Sequence, residues 1–454
     1  MPARFAPTLK RKNSVSPLRW AFIVAVSFCI ISQLGIRNSE CRIKEEEFHN
    51  PQSGIRIEKA LPKWACILYM AGDNFLDWFT QQNLEELKEA GYGYDVRTVV
   101  LADRTDKGGH LYEVRKGHLL ELPIEDVDPS WKGKELNTGD PQTLITFATW
   151  AVKNLPAQNY LLLLGGYGEG WMGMLHDFNN GQGAVDVLSL AELEEALAEI
   201  VKTVKRVNGK DRLDLLGLDA CYMAMVEVLY SIKDYAHYVI ASENEEALDG
   251  WPYGDVLMAF LEDPSRPAPE IASSIANAYI ETTSYLPTKL ANILTITAVD
   301  LGAFTGVISP LGELALALKS TLSAPGEREV KRFKEVDILT DSFTVSAHIA
   351  GRYIPYSMHY DLGSFLNALR LKFKDNPTIN SKVKELQKAL KKAVIKERHQ
   401  DLPERKLSLG GLTLFSMGAE LEGYKDLPFS RENPWYAFVE ERVSLLGRLK
   451  KTAK

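Results

Sequence analysis

Leu213-Asp-Leu-Leu-Gly-Leu-Asp-Ala-Cys-Tyr-Met-Ala224 runs apolar almost without a break and ends on an acid and a cysteine. The first half predicts a strand buried on both faces. The second half begins an apolar helical pattern. A cysteine at that junction is held rigidly by the strand, and a helix N-terminus there would favour its thiolate. Upstream, Tyr160 to Leu164 predicts a second such strand, which runs into Gly165-Gly-Tyr-Gly-Glu-Gly-Trp171. That glycine turn carries Tyr167 where a cysteine hydrolase needs its base.

Working outward, Trp64–Met70, Val96–Ala102 and Tyr238–Ala241 are further strand-like runs. Helical patterns separate them over Asn83–Ala90, Thr143–Asn154 and the segment after Ser189-Leu-Ala-Glu192, a capping box. Behind that box Leu193, Leu197, Ile200 and Val204 recur at helical spacing. Lys116 to Pro141 reads as a long polar connection. Continuous apolar strands alternating with helices predict an α/β fold around a mostly parallel sheet covered on both faces. Ligands in such folds sit at the carboxyl ends of the strands, where Tyr167 and Cys221 both fall. Later come a long helix over Leu301–Leu322, a lysine-rich amphipathic helix over Asn380–Lys396, a strand over Gly411–Phe415 and a closing helix over Trp435–Leu449.

The 454 residues carry a net charge of −7, and their Lys and Arg are scattered without aromatic interleaving, which argues against nucleic acid as a partner. Only Cys29, Cys41, Cys66 and Cys221 occur, in spacings that suit neither a disulfide framework nor a zinc site. Arg4, Lys10, Arg11, Lys12 and Arg19 precede an uncharged apolar run from Trp20 to Ile36. This predicts a signal or membrane anchor over residues 1–36, with an extracytoplasmic globular part, or a secreted one if the segment is cleaved. Residues 37–62 read as a tether, 63–300 as the main domain and 301–454 as a C-terminal extension of the same fold.

Several short stretches resemble the clostripain family of cysteine peptidases, relatives of the caspase fold. They are Tyr69-Met-Ala-Gly-Asp-Asn74, Gly139-Asp-Pro-Gln-Thr-Leu144, Asp219-Ala-Cys-Tyr-Met223, Ala241-Ser-Glu243, Asp249-Gly-Trp-Pro-Tyr253 and Gly410-Gly-Leu-Thr-Leu-Phe415. The resemblance implies a caspase-like three-layer sandwich with Cys221 as nucleophile. It also implies Asp219 and Asp249 as the acids that select Arg or Lys, and a possible calcium requirement. Each aspartate has a structural alternative: Asp219 capping the helix after Cys221, Asp249 opening a turn with Gly250.

The chain departs from the family at the base. The pattern Asn-His-Gly-x-Gly-Trp becomes Gly166-Tyr-Gly-Glu-Gly-Trp171, with glycines and tryptophan in step. Tyrosine, with a pKa near ~10, is a poor base at neutral pH. His176, nine residues further on, is the substitute base to consider; its alternative is a hairpin histidine beside Asp177. His237 precedes a strand at the wrong end, and Glu169 reads as a solvated turn residue. The resulting expectation is a catalytically impaired homologue that binds Arg/Lys peptides at the cell envelope. The alternative is an active endopeptidase using Cys221 with a non-standard base.

Overall fold

The computed structural model describes residues 61–105, 108–179, 185–283, 293–323, 325–349, 352–401, 406–418 and 421–452. The expected anchor and tether lie outside these residues. Fourteen strands are described: β1 Trp64–Gly72, β2 Val96–Arg104, β3 His110–Arg115, β4 His118–Leu122, β5 Asn159–Gly165, β6 Met174–Asp177 and β7 Asp186–Leu188 come first. β8 Leu213–Asp219, β9 Ala236–Ala241, β10 Thr295–Asp300, β11 Ser342–Ile349, β12 Arg352–Asp361, β13 Val394–His399 and β14 Thr413–Gly418 follow.

Nine of them form one sheet in the order β13-β10-β9-β8-β5-β1-β2-β3-β4. The five central strands, β9 to β2, are mutually parallel, and both edges are finished by antiparallel pairs. Successive side chains of a strand face opposite ways, and here both ways lead to a core. Ala65, Ile67 and Tyr69 point into one apolar cluster with Leu162, Leu164, Leu216 and Leu218. Trp64, Cys66, Leu68 and Met70 point into another with Leu161, Leu163 and Leu215. Helices Pro141–Asn154, Leu190–Asn208 and Leu301–Ser323 cover the first face; Asp77–Ala90, Tyr253–Leu261 and Ala268–Thr283 cover the second. This is the expected α/β sandwich, and it explains why the central strands read as unbroken hydrophobic runs.

The Ser189 capping box is present: Ser189 Oγ accepts from Glu192 N (3.3 Å) and Glu192 Oε2 accepts from Ser189 N (2.9 Å). The stretch read as connection between Lys116 and Pro141 instead contains β4, paired with β3 as an edge hairpin. Its burial is partial on both faces, so it has little of the alternation that marks a strand. Leu301–Ser323 is the described helix with the length and apolarity of a membrane span. Phe304, Val307, Leu311, Leu314 and Leu318 place one face of it in the main core.

Residues after 300 are built into the same core. β13 pairs with β10 inside the large sheet, and β14 joins β11 and β12 in a second one. Thr413 N donates to Ala224 O (2.9 Å), and Glu227 Oε1 accepts from Phe415 N (2.9 Å) and Tyr424 Oη (2.7 Å). The expected outcome is that residues 61–452 unfold in one transition, with far- and near-ultraviolet dichroism coincident. A fragment ending at Asp300 should not fold, because it bares the apolar face that Leu301–Ser323 covers. A soluble 61–300 fragment with a cooperative melt would contradict this.

Candidate active site

The parallel register of β5 and β8 sets Gly165 opposite Asp219, so both chains leave the sheet at the same level. Gly166 N donates to Asp219 O (3.1 Å), and the glycine turn then folds over the cysteine loop. A Cβ on Gly168 would stand 2.6 Å from Cys221 O and 2.8 Å from the Ala220 side chain. Only glycine allows this approach. Trp171 closes the turn edge-on against Phe415 and Tyr424, with centroids 5.8 and 5.4 Å away.

Cys221 does not begin a helix. Residues 220–225 are a turn, Tyr222 is in the left-handed region at φ 65°, and the next helix starts only at Val226. Ladder bonds to the β9 exit hold the turn in place: Tyr222 N to Asn244 O (3.1 Å) and Ala224 N to Ser242 O (2.7 Å). These compete with helical bonding, so the helix-terminus stabilisation expected of the thiolate is absent. Instead Cys221 Sγ accepts one backbone bond, from Glu246 N at 3.3 Å. Burial, with Glu246 next in effect, pushes the thiol well above its ordinary range.

Tyr167 and Cys221 line one cavity of about 380 Å³. The Tyr167 ring lies edge-on to His176 (4.7 Å between centroids) and to Phe75 (5.4 Å). Burial, then the Glu169 charge, pushes its hydroxyl up to about 12. His176 is buried behind Tyr167 and does not line the cavity. Its Nε2 is 3.7 Å from Glu169 Oε2 and makes no hydrogen bond. Burial lowers its affinity for a proton, with Glu169 opposing. Glu169 is half-buried, not a solvated turn residue, and accepts from Tyr356 Oη at 2.7 Å. His237 is exposed at the far end of β9.

The floor of the cavity is acidic. Asp219 is buried, accepts from Tyr253 Oη (2.7 Å) and is in hydrogen-bond contact with the Glu246 carboxyl. Glu246 accepts from Trp251 Nε1 (3.0 Å). Burial raises both acids; Asp219 raises Glu246 further, whereas the hydrogen bond from Glu246 holds Asp219 down, and two carboxyls in hydrogen-bond contact share a proton. Glu245 joins the wall and accepts from Tyr222 Oη (3.0 Å). Asp219 is too far from Val226 in sequence to cap the next helix. Asp249 takes the turn role: Gly250 N closes on Ala247 O (2.9 Å), and Asp249 stands outside the cavity wall. Glu245 and Glu246 were not singled out from sequence. Their signal was position, just past the carboxyl end of β9, beside those of β5 and β8.

Among the described residues, one group of carboxylates lies close enough together to hold a metal ion: Asp73, Asp103 and Glu135. It is separate from the cavity. Burial, with Glu135, Asp177 and Asp73 adding to it, pushes Asp103 up to about 9.

The profile of the Clostripain family matches residues 68–411. Clostripain of Hathewaya histolytica is 26% identical over 203 residues, 38% of this chain and 36% of that protein, so the match spans about a third of the relative's length. An inactive zymogen C11 protease from Parabacteroides distasonis superposes with a TM-score of 0.59 at 18% identity, over 82% of this chain and 99% of that one. A secreted C11 cysteine protease from Bacteroides thetaiotaomicron, solved with an irreversible peptide inhibitor, gives 0.57 at 19% identity, over 83% and 99%.

The raised thiol sets an expectation for Cys221. Alkylation by iodoacetamide at pH 7.5, followed peptide by peptide in the mass spectrometer, should be slower than for a free cysteine of pKa about 8.5. It should accelerate through pH 9 and above. Fast labelling at neutral pH would mean that a base or cation is stabilising the thiolate.

Proposed function

We propose that this chain, which belongs to the clostripain family, is a cysteine peptidase homologue that holds peptides bearing Arg or Lys and turns them over poorly if at all. The observation that carries the reading is an acid-floored cavity whose cysteine has a tyrosine, not an imidazole, beside it. In a working site the base takes the thiol proton as sulfur attacks the carbonyl, then gives a proton to the leaving amine. Tyr167 serves neither step well, since its hydroxyl holds its proton to about pH 12. Loss of such help costs about 10²–10⁴ in rate.

The binding half is better provided. Asp219 and Glu246 are buried carboxyls facing a cavity without a cation of their own. A guanidinium or ammonium entering there replaces the shared proton, which favours a basic side chain and couples binding to proton release. The basic flank and apolar run of residues 1–36 support placing this domain outside the cytoplasm, tethered to the membrane. Protease shaving of intact cells should then remove the domain, and its survival beside a retained N-terminus would refute that placement.

A second reading has one observation behind it: His176 and Glu169 already face each other at 3.7 Å directly behind Tyr167. If Tyr167 swings aside, that pair supplies an imidazole and an orienting carboxylate. The two readings separate cleanly. Under the first, purified protein barely hydrolyses short Arg- or Lys-terminated reporters, and Tyr167→His raises the rate by roughly 10²–10⁴. Under the second, the wild type is active and both Cys221→Ala and His176→Ala abolish it. Calorimetric titration should show Arg peptides binding more tightly than norleucine peptides, the more so as pH rises and the carboxyls lose their proton. Asp219→Asn should remove most of that preference. Equal binding of the two peptides would leave the acids without a role in recognition.

A further inference from the structure

Exposed apolar side chains gather at the mouth of the cavity. Phe75 and Leu248, each 53% exposed, line it together with the part-buried Leu76 and Phe79. Phe178, also exposed, packs on Phe75 with centroids 5.8 Å apart, and the exposed Trp78 meets Phe79 edge-on at 5.0 Å. Apolar residues scattered singly over a surface need no explanation. A group of them rimming a cavity marks a surface that a ligand covers.

The rim is held from beneath by polar bonds. Asn74 Nδ2 donates to Ala71 O (3.0 Å) and His176 O (2.8 Å), and Asn74 Oδ1 accepts from Leu76 N (2.8 Å). These bonds fix the turn that presents Phe75. Phe178 N donates to Asp73 O (2.9 Å), which anchors the neighbouring ring. Beyond β9, Tyr279 Oη accepts from Ala247 N (3.1 Å) and Ala247 O accepts from Gly250 N (2.9 Å), so Leu248 rides on a closed turn. A surface set in advance in this way loses little conformational freedom when it is covered.

We infer that the cavity takes a peptide in which an apolar, preferably aromatic, residue adjoins the basic one, with Phe75, Phe79 and Leu248 as the side chains that select it. The inference rests on the basic-peptide reading above and adds the neighbouring residue to it. Successive side chains of an extended peptide leave on opposite sides. With the basic one on the acid floor, the next is turned away from the floor and towards the rim. The other acids of the wall are already engaged: Glu169 accepts from Tyr356 Oη (2.7 Å) and Glu245 from Tyr222 Oη (3.0 Å). What the rim offers is apolar surface, and an aromatic guest can meet Phe75 edge-on as Tyr167 does at 5.4 Å.

The test is calorimetric titration of the full chain with capped hexapeptides carrying Phe-Arg, Ser-Arg, Phe-norleucine or Ser-norleucine at the centre, each pair in both orders. In at least one order the Phe peptide should bind about tenfold more tightly than the Ser peptide, as partial burial of one aromatic side chain predicts. Its heat-capacity change on binding should also be more negative. Phe75→Ser, and separately Leu248→Ser, should cut that preference to about threefold or less. Leu248 is exposed and on a different segment, so its variant decides the matter if Phe75→Ser disturbs the packing of Tyr167. Equal binding of Phe and Ser peptides in both orders overturns the inference, while Arg over norleucine in the same set leaves the basic-peptide reading standing. Phe over Ser with Arg equal to norleucine supports the apolar rim and overturns the basic-peptide reading instead. A Phe preference untouched in both variants places the contact elsewhere and overturns the inference; no binding by any of these peptides overturns both.

Discussion

The contact of the Gly166–Trp171 turn with the Ala220–Met225 turn is the constraint on which the site depends. β5 and β8 deliver the two turns side by side because they are adjacent and parallel with Gly165 and Asp219 in register. Their separation is then set by the absence of a side chain at Gly168, which lets the backbone of one turn rest on Cys221 O. Any Cβ there meets backbone, which cannot step aside as a flexible side chain would. Tyr167 and Cys221 face one cavity as a consequence of this packing, whatever chemistry they support. The second half of the clamp comes from far along the chain. Trp171 rests on Phe415 and Tyr424, and Glu227 accepts from the same two residues. The C-terminal segment is therefore part of the scaffold of the site, although it contributes few of the groups that line it.

Carboxylates dominate the electrostatics of the strand ends. Asp219, Glu246 and Glu245 line the cavity, while Asp73 lies just past β1, Asp103 near the end of β2, Asp177 at the end of β6 and Glu135 in the connection before helix Pro141–Asn154. Burial and repulsion between neighbours raise the proton affinities of Asp73, Asp103, Glu135, Asp219 and Glu246. The same field acts on Cys221, whose thiol is pushed up first by burial and then by Glu246, Glu245 and Asp219. A cationic guest on the cavity floor would act in the opposite direction, lowering the thiol as it neutralises its neighbours. Under the proposed reading, guest charge and the proton affinity of Cys221 would be coupled through a few buried oxygens.

The central sheet was legible in the sequence because strands buried on both faces leave continuous apolar runs, such as Tyr160–Leu164 and Leu213–Leu218. The capping box at Ser189 was legible because its chemistry is local. The edge hairpin of β3 and β4 was not: β4 is half-solvated at the sheet edge and its pattern breaks down. The start of a helix at Cys221 was misread for a different reason. Ala220 to Ala224 has helical composition, yet backbone bonds to Ser242 and Asn244, contacts remote in sequence, take the groups a helix would use. Likewise Asp249 and Asp219 looked equivalent as acids near a motif. The structure separates them: the end of β8 puts Asp219 on the cavity wall, while Asp249 sits in the Ala247–Gly250 turn and does not line the cavity.

Tyr167 has a packing role of its own. Its ring meets Phe75 and His176 edge-on, and Phe75 in turn packs at a tilt on Phe178. Such contacts favour a large apolar ring with a polar tip, which tyrosine supplies. An aromatic plug of this kind keeps His176 away from the cavity and leaves its Nε2 without a partner. The acid pair beneath it carries the opposite signature: Asp219 and Glu246 are held by Tyr253 and Trp251 in a geometry that leaves them facing open volume. Burial of two carboxyls is unfavourable in the empty state and is offset when a cation arrives. Under the proposed reading, these energetics would favour occupancy by a basic group, while the raised thiol would favour a cysteine at rest.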